Sequence, residues 1–431
     1  MRKYFGTDGI RGVASQPPLD PESLVRLGKA IAKVFLRDPG KHRILIGKDT
    51  RLSGYMIETS LAAGITSMGA DVLLVGPIPT PGVAYLTWSM RADAGVMISA
   101  SHNAFEDNGI KIFGADGYKL ADNLELEIEA LMERGALDGQ QAGAADIGKA
   151  TRINDAQGRY TVYLKNCFPR HLTLEGLKIG LDCANGAAYI VAPQALIELG
   201  AEVVARGVSP NGRNINAGFG SLYPEVVRKL VLEQNLDLGV AFDGDADRAI
   251  FVDERGNVLD GDMVLAICAA HLTQQGKLKS DRIIATVMSN LGLDKKLAKA
   301  GLKVERVQVG DRYVLERMLE SGVRVGGEQS GHLIFSDFST SGDGILTALM
   351  VLAVMQETDL SLYELNKDFE RFPQKLLNLP VSSKPALDSI PSIKEIITKK
   401  EKELKDNGRL LVRYSGTQNK IRIMVECQDE E

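Results

Sequence analysis

Cysteine is scarce in this chain of 431 residues, and Cys167, Cys183, Cys268 and Cys427 show neither metal-ligand nor redox spacing. That excludes a cysteine-built metal site and a disulfide framework, and it fits a reducing cytosol. Positive charge is not in excess either. The net charge is -5 and the lysines and arginines are spread along the chain, so neither nucleic acid nor an anionic membrane is an expected partner. Long apolar runs are missing. The longest, Ile345 to Met355, falls well short of the roughly 20 residues that span a bilayer and reads as a buried helix. The start, MRKYFGTDGIRG, has no apolar stretch behind its positive charge, so no secretory signal is expected and the cytoplasm is the expected location.

Glycine is plentiful, at 44 residues, which favours tight loops where backbone approaches a ligand. A pattern of strand, polar turn, helix, glycine and strand occurs three times. It runs from Arg43 through Lys48-Asp-Thr-Arg51 and Gly69 to Val75. It recurs from Lys178 through Ala184-Asn-Gly186 and Gly200 to Arg206, and again from Arg282 through Ser289-Asn290 and Gly301 to Gln308. Each is the signature of a right-handed βαβ crossover with a glycine after the helix. Boundaries near Thr151, Arg255 and Glu364 divide the chain into residues 1–151, 152–254, 255–364 and 365–431. The last differs: strands at Lys375 to Val381, Leu410 to Arg413 and Ile421 to Glu426 surround a charged helix from Pro391 to Lys405, a small α+β unit.

Ligands in such sheets bind beyond the carboxyl ends of strands. Gly95 to Ile98 reads as a strand that delivers the chain to Ser99-Ala-Ser-His-Asn103, with Ile110 to Phe113 returning after an Asp107-Asn-Gly109 turn. Ser101 at this tip reads, from the loop alone, as an ordinary turn hydroxyl; a nucleophile, a phosphate carrier and a cap are the other readings, and the further loops bear on the choice. In Phe5 to Gly12, glycines surround Thr7, Asp8 and Arg11, either a surface turn or a flexible backbone holding one cation.

Asp243-Gly-Asp-Ala-Asp-Arg248 is the strongest local signal. Carboxylates at alternate positions of a tight loop can converge on one hard cation, Mg²⁺ by default. An EF-hand is a rival reading, but Arg248 stands where its turn glycine belongs and the flanks read as strands. A phosphatase loop with Asp243 as nucleophile and Asp245 as acid is another, which Asp247 speaks against. A solvated acidic turn is the plainest. Gly326-Gly-Glu-Gln-Ser-Gly-His332, after a strand at Val323 to Val325, joins a carboxylate, an amide, a hydroxyl and an imidazole suited to sugar hydroxyls, with glycines that admit a ligand. Arg413 to Arg422 offers two guanidiniums and two hydroxyls around Gly416, either a phosphate clamp or a hairpin with exposed cations.

Taken in order, Ser101 in ISASHN, DGDADR, GGEQSGH and RYSGT resemble the α-D-phosphohexomutase superfamily over nearly the whole chain. FGTDGIRG and Gln329 make it similar to an amino-sugar branch. The resemblance implies four domains around a central cleft, three mixed-sheet α/β and one smaller α+β. It implies that phospho-Ser101 exchanges its group with glucosamine 6-phosphate and glucosamine 1-phosphate through a sugar 1,6-bisphosphate, on the way to cell-wall precursors. Ser101, Asp243, Asp245 and Asp247 would hold Mg²⁺. Glu328 and Ser330 would hold sugar hydroxyls, and Arg413, Ser415, Gly416, Thr417 and Arg422 the non-reacting phosphate. Arg11, Lys111, Arg248 and His332 would surround the reacting phosphoryl group, with Lys111 and His332 as candidates for proton transfer. The expected partner is a small phosphosugar, and a homodimer is the assembly allowed for. Glucose or mannose phosphates as substrates, a sugar-phosphate phosphatase and a phosphosugar sensor are the alternatives. Ala104 and Gln418-Asn419 depart from the family's frequent proline and Glu-Pro.

Overall fold

The computed structural model describes residues 3–6, 8–404, 407–414 and 419–428. The expected strand–helix–strand repeats all form. Arg43–Lys48 is followed by the helix Ser53–Ser67 and pairs in parallel with Asp71–Pro77. Lys178–Asp182, Val191–Glu198 and Glu202–Arg206 repeat the unit, as do Arg282–Thr286, Leu291–Ala298 and Lys303–Val307. Gly69, Gly200 and Gly301 all take positive φ, at 99°, 105° and 73°, the left-handed turn that releases a helix toward its next strand.

The first sheet has seven strands and is mixed. Its parallel part, Ala94–Ile98, Arg43–Lys48, Asp71–Pro77 and Ala150–Arg152, is extended through antiparallel Asp107–Gly114, Gly9–Val13 and Phe5–Gly6. Ile98 lies opposite Ile110, so Ser101 sits at a tip between two paired strands. The second sheet has five strands, with Leu238–Phe242 parallel to Lys178–Asp182 and antiparallel to Ala249–Asp253. The third has four and includes Val325–Gly327 and Leu333–Phe335.

Here expectation and structure differ. The strand was expected to end at Val325, with Gly326 and Gly327 free to admit a ligand; both belong to the strand. A Cβ on Gly326 would lie 2.7 Å from Met318 Sδ and 3.0 Å from Val314 Cγ1, so glycine is there to seat the helix Asp311–Ser321 on the sheet.

One buried cluster runs through all three α/β domains, from Leu45 and Phe113 through Leu181, Phe242 and Phe251 to Ile283 and Phe335. The apolar helix Gly344–Thr358 lies within it, its Ile345, Leu349 and Leu352 essentially without exposure. A helix apolar on every side must be buried on every side. Among the described residues no helix is long and apolar enough to cross a membrane.

The C-terminal unit is an antiparallel sheet in the order Gln374–Pro380, Lys420–Cys427, Gly408–Tyr414, with the helix Pro391–Leu404. Glu426, fully buried, ties it to the third domain by accepting from the Leu291 N–H at 2.8 Å, and it also accepts from Arg409 Nε of its own unit at 2.5 Å.

Candidate active site

Ser101 is 1% exposed and sits at φ 51°, a left-handed conformation uncommon for a residue with a side chain. Its Oγ donates to Asp243 Oδ2 at 2.6 Å across 142 residues of sequence. The loop is held from below by Arg51, a fully buried side chain. Arg51 Nη2 donates to the carbonyls of Ser101 at 2.8 Å and Asn103 at 3.0 Å, and Nη1 to those of Ala104 and Asp107. Asp49, equally buried, accepts from Arg51 Nε at 2.8 Å and from Ser99 Oγ at 2.7 Å, and Ser99 Oγ in turn accepts from the Ser101 N–H. Both residues lie in the turn after the first strand of the first repeat.

The DGDADR loop closes tightly because Ala246 takes φ 57°, which brings carboxylate oxygens of Asp243, Asp245 and Asp247 within 4.8 Å of one another. All three are buried. Burial, together with repulsion from Asp247 and Asp245, raises the Asp243 carboxyl well above its ordinary range. Burial acts the same way on Asp247, but Lys111 and His332 outweigh it and hold that carboxyl well below. Such a cluster is short of positive charge. Asp245 Oδ1 and Asp247 Oδ1 are buried without a hydrogen-bond partner, and the donors are all oxygen, so the residues fit a hard divalent cation.

Lys111, on the returning strand, is buried with Nζ 3.0 Å from Asp245 Oδ2, 3.3 Å from Asp247 Oδ2 and 3.3 Å from Asp8 Oδ2. Burial disfavours its charge, but those carboxylates overcome this and raise it well above its usual value. It is an ammonium at any working pH. Arg11 bonds Asp8 Oδ2 at 2.6 Å and the Ala100 carbonyl at 3.2 Å. Arg248 reaches His102 Nδ1 at 3.3 Å, and that nitrogen lies 3.2 Å from Ser101 Oγ. Burial, with Arg248 and Arg11 alongside, pushes His102 down to about 4, leaving a neutral ring.

His332 is 3% exposed, with Nδ1 3.6 Å from Asp247 Oδ1. Burial works against its charge, while Asp247, Asp311 and Glu328 raise its pKa. The Gly342 N–H donates to Nε2 at 3.1 Å, which requires a lone pair there and puts the proton of the neutral ring on Nδ1, facing Asp247. The directional bond sets the tautomer; the carboxylates set how readily a second proton is held. A Cβ on Gly342 would fall on the imidazole itself. Gly342→Ala is expected to displace the ring, lowering kcat by as much as ~10²-fold and stability by about 1–3 kcal/mol through overpacking. Steady-state kinetics beside thermal unfolding would check this, and an unchanged kcat would refute it.

Of these groups Arg11, His102, Asp247, Arg248 and His332 line a cleft of about 800 Å³ whose walls also include Tyr4, Asp8, Asp311 and Glu328. Glu328 accepts from the Gly310 N–H at 3.1 Å, and Ser330 is exposed on the same turn. The structure thus brings together Ser101, Arg11, Lys111, the three aspartates, Arg248, Glu328 and His332. Among the described residues, none of the C-terminal domain lines the cleft. Arg413 and Arg422 stand directly opposite each other on neighbouring strands, and burial together with Arg422 lowers the pKa of Arg413. Ser415, Gly416 and Thr417 lie outside the described residues.

Sequence reasoning gave no role to Asp49, Arg51, His102 or Asp311. Asp49 and Arg51 carried a usable signal, two charges two apart just after a first strand, and His102 adjoins Ser101. Asp311 carried none: it heads a helix and accepts from Lys119, which also donates to Asp8 at 2.5 Å.

The chain matches domain profiles of phosphoglucomutase/phosphomannomutase in order: α/β/α domain I over residues 2–138, domain II over 158–256, domain III over 260–372 and the C-terminal domain over 376–431. A phosphoglucosamine mutase of Geobacter metallireducens is 57% identical over the whole chain and 95% of its own length. One of Sorangium cellulosum is 56% identical, covering 99% and 90%. Among solved structures, a phosphoglucomutase/phosphomannomutase family protein of Burkholderia thailandensis superposes with TM-score 0.80 at 22% identity, covering 98% of this chain and 92% of its own. N-acetylphosphoglucosamine mutase of Aspergillus fumigatus, solved with GlcNAc-6P and magnesium, gives 0.71 at 16% identity, covering 99% and 92%.

Proposed function

The chain belongs to the phosphoglucomutase/phosphomannomutase family, and from that premise we propose that Ser101 carries the phosphoryl group by which glucosamine 6-phosphate and glucosamine 1-phosphate are interconverted. The protein is a phosphosugar mutase, an isomerase working by phosphoryl transfer, and relatives of more than half identity over its full length carry the amino-sugar name. The observation that carries the serine's role is its Oγ, buried and 2.6 Å from Asp243 Oδ2 of the three-aspartate loop.

In the reaction, phospho-Ser101 gives its group to a sugar hydroxyl: the bond from phosphorus to Oγ breaks as one to the sugar oxygen forms, and the hydroxyl proton passes, in net terms, to the released Ser101 Oγ. A sugar 1,6-bisphosphate results, turns over in the cleft, and returns its other phosphate to Ser101. Asp243, Asp245 and Asp247, with an oxygen on Ser101, would hold Mg²⁺, which would supply charge neutralisation at the transferring phosphate. Arg11, Lys111 and Arg248 add positive charge that needs no rearrangement during the step. The three carboxylates around Lys111 favour this role for it over proton transfer, while His332, with Nδ1–H facing Asp247, orients a ligand carboxylate.

Glu328 and Ser330 would read sugar hydroxyls. Arg413 and Arg422 would hold the distant phosphate with Ser415, Gly416 and Thr417: like charges directly opposed across two strands are unfavourable by themselves, and a phosphate between them reverses the sign. Arg422 Nε, buried and without a partner, is available for it. A soluble phosphosugar substrate is in keeping with a cytoplasmic enzyme that feeds amino-sugar precursors.

The test is kcat/KM for the 6-phosphates of glucosamine, glucose and mannose, measured side by side with Mg²⁺ and a catalytic amount of sugar bisphosphate. A preference for glucosamine 6-phosphate of about 10²-fold or more is expected. Equal or faster turnover of the glucose or mannose ester would keep the chemistry and overturn the substrate.

A further inference from the structure

The backbone of Ser101 is gripped from two domains. Its carbonyl accepts from Arg51 of its own domain and, at 2.9 Å, from Asn216 Nδ2 of the second domain. The same amide nitrogen lies 2.9 Å from the Asn103 carbonyl, so its two hydrogens bridge the residues that bracket the tip of the loop. Asn216 is 8% exposed.

The residues around Asn216 are arranged to present that amide. Asn216 has φ 58°, and its own N–H donates at 2.9 Å to the carbonyl of Ala184, which with Asn185 is also left-handed, at 54° and 49°. Asp182 fixes both ends of this surface, accepting from the Ala184 N–H at 2.9 Å and the Gly220 N–H at 2.7 Å. The Leu52 N–H donates to the Gly212 carbonyl at 2.8 Å, and Thr50 Oγ1 to that of Asn185 at 2.5 Å. The metal loop closes the third side. A Cβ on Gly244 would lie 2.5 Å from the Ser101 carbonyl oxygen and 2.9 Å from Asn216 Nδ2.

We propose that Asn216 is a positioning residue for the reaction. By pairing with the carbonyls of Ser101 and Asn103 it holds Ser101 in its left-handed conformation, with Oγ aimed at Asp243. Left alone, a serine backbone populates that conformation sparsely, and relaxation to an ordinary one would swing Oγ away from the carboxylates. Arg51 restrains the loop within the first domain, while Asn216 ties its geometry to the second, which carries Asp243. Asn216 touches no reacting atom. The proposal rests on Ser101 being the phosphoryl carrier.

The variants must leave the left-handed backbone of position 216 undisturbed. Asn216→Gly removes the amide at a φ glycine accepts freely, and Asn216→Asp keeps the shape and removes the donors. Each is compared with the unmodified protein and Ser101→Ala, well below its unfolding temperature, with glucosamine 6-phosphate, Mg²⁺ and glucose 1,6-bisphosphate. Both are expected to lose at least about tenfold in kcat with KM changed less than about twofold. Phosphorylation of Ser101 by the bisphosphate, followed by mass spectrometry, should slow by the same factor. If one variant fails to fold, the other decides. Full kcat in a folded variant, or a loss confined to KM, overturns the proposal while Ser101→Ala remains inactive; turnover by Ser101→Ala overturns the reading beneath it.

Discussion

Ser101→Ala is expected to abolish mutase turnover, a loss on the order of 10⁴-fold or more, because no other group can carry the phosphoryl between the two positions of the sugar. The fold should survive. Alanine takes the place of a side chain already at φ 51°, and what disappears is the hydroxyl, with its hydrogen bond to Asp243 Oδ2 at 2.6 Å and its contact with His102 Nδ1 at 3.2 Å, together worth about 1–2 kcal/mol. The unfolding temperature should therefore move by only a few degrees. Peptide mapping after incubation with sugar bisphosphate should find phosphate on Ser101 of the unmodified protein and none at that position in the variant. Turnover at an ordinary rate by Ser101→Ala would end the covalent mechanism.

Arg51→Ala should produce the largest loss of stability. Its guanidinium is fully buried and donates to the carbonyls of Ser101, Asn103, Ala104 and Asp107 as well as to Asp49. Removing it leaves the Asp49 carboxylate buried without its cation, a change that typically costs about 3–5 kcal/mol. For a domain of this size that lowers the unfolding temperature by roughly 10 °C. Burial already raises the Asp49 carboxyl, with Arg51 the main opposing influence, so without Arg51 the carboxyl would be driven toward its neutral form. The cause can be separated from simple loss of volume. Adding Asp49→Ala to Arg51→Ala removes the stranded charge, and the double variant should be the more stable of the two. Arg51→Lys keeps the charge but not the planar fork that serves several carbonyls at once, and should fall between. An Arg51→Ala protein that unfolds at the original temperature would show that the clamp does not bear on the fold.

Much of this was legible in the chain. Lys178–Asp182, Glu202–Arg206 and Leu238–Phe242 fall where the residue pattern puts them, because short apolar runs and helix-ending glycines act over a few residues. Ser101 and the three aspartates were legible as residue types on tight loops. Arg51 was visible as a charge in a turn, yet nothing local says that it is buried beneath the serine loop. Gly326 and Gly327 misled for the same reason. A glycine pair reads as an open loop until the helix packed against it is known. Gly342 went unnoticed, since its reason for being glycine is the His332 ring.

The sequence alone determined the four-unit plan, the strand ends where chemistry would lie, and the residue types able to bind a cation and a phosphate. These depend on backbone preference and spacing, which neighbouring residues set among themselves. Only the tertiary structure decided what the charged groups do. Lys111 is held as an ammonium by Asp245 and Asp247, 134 and 136 residues away. The Ser101 hydroxyl gains a purpose from Asp243 in another domain. Charge, burial and aim are properties of a neighbourhood, and folding brings these neighbours together from parts of the chain that share no local signal.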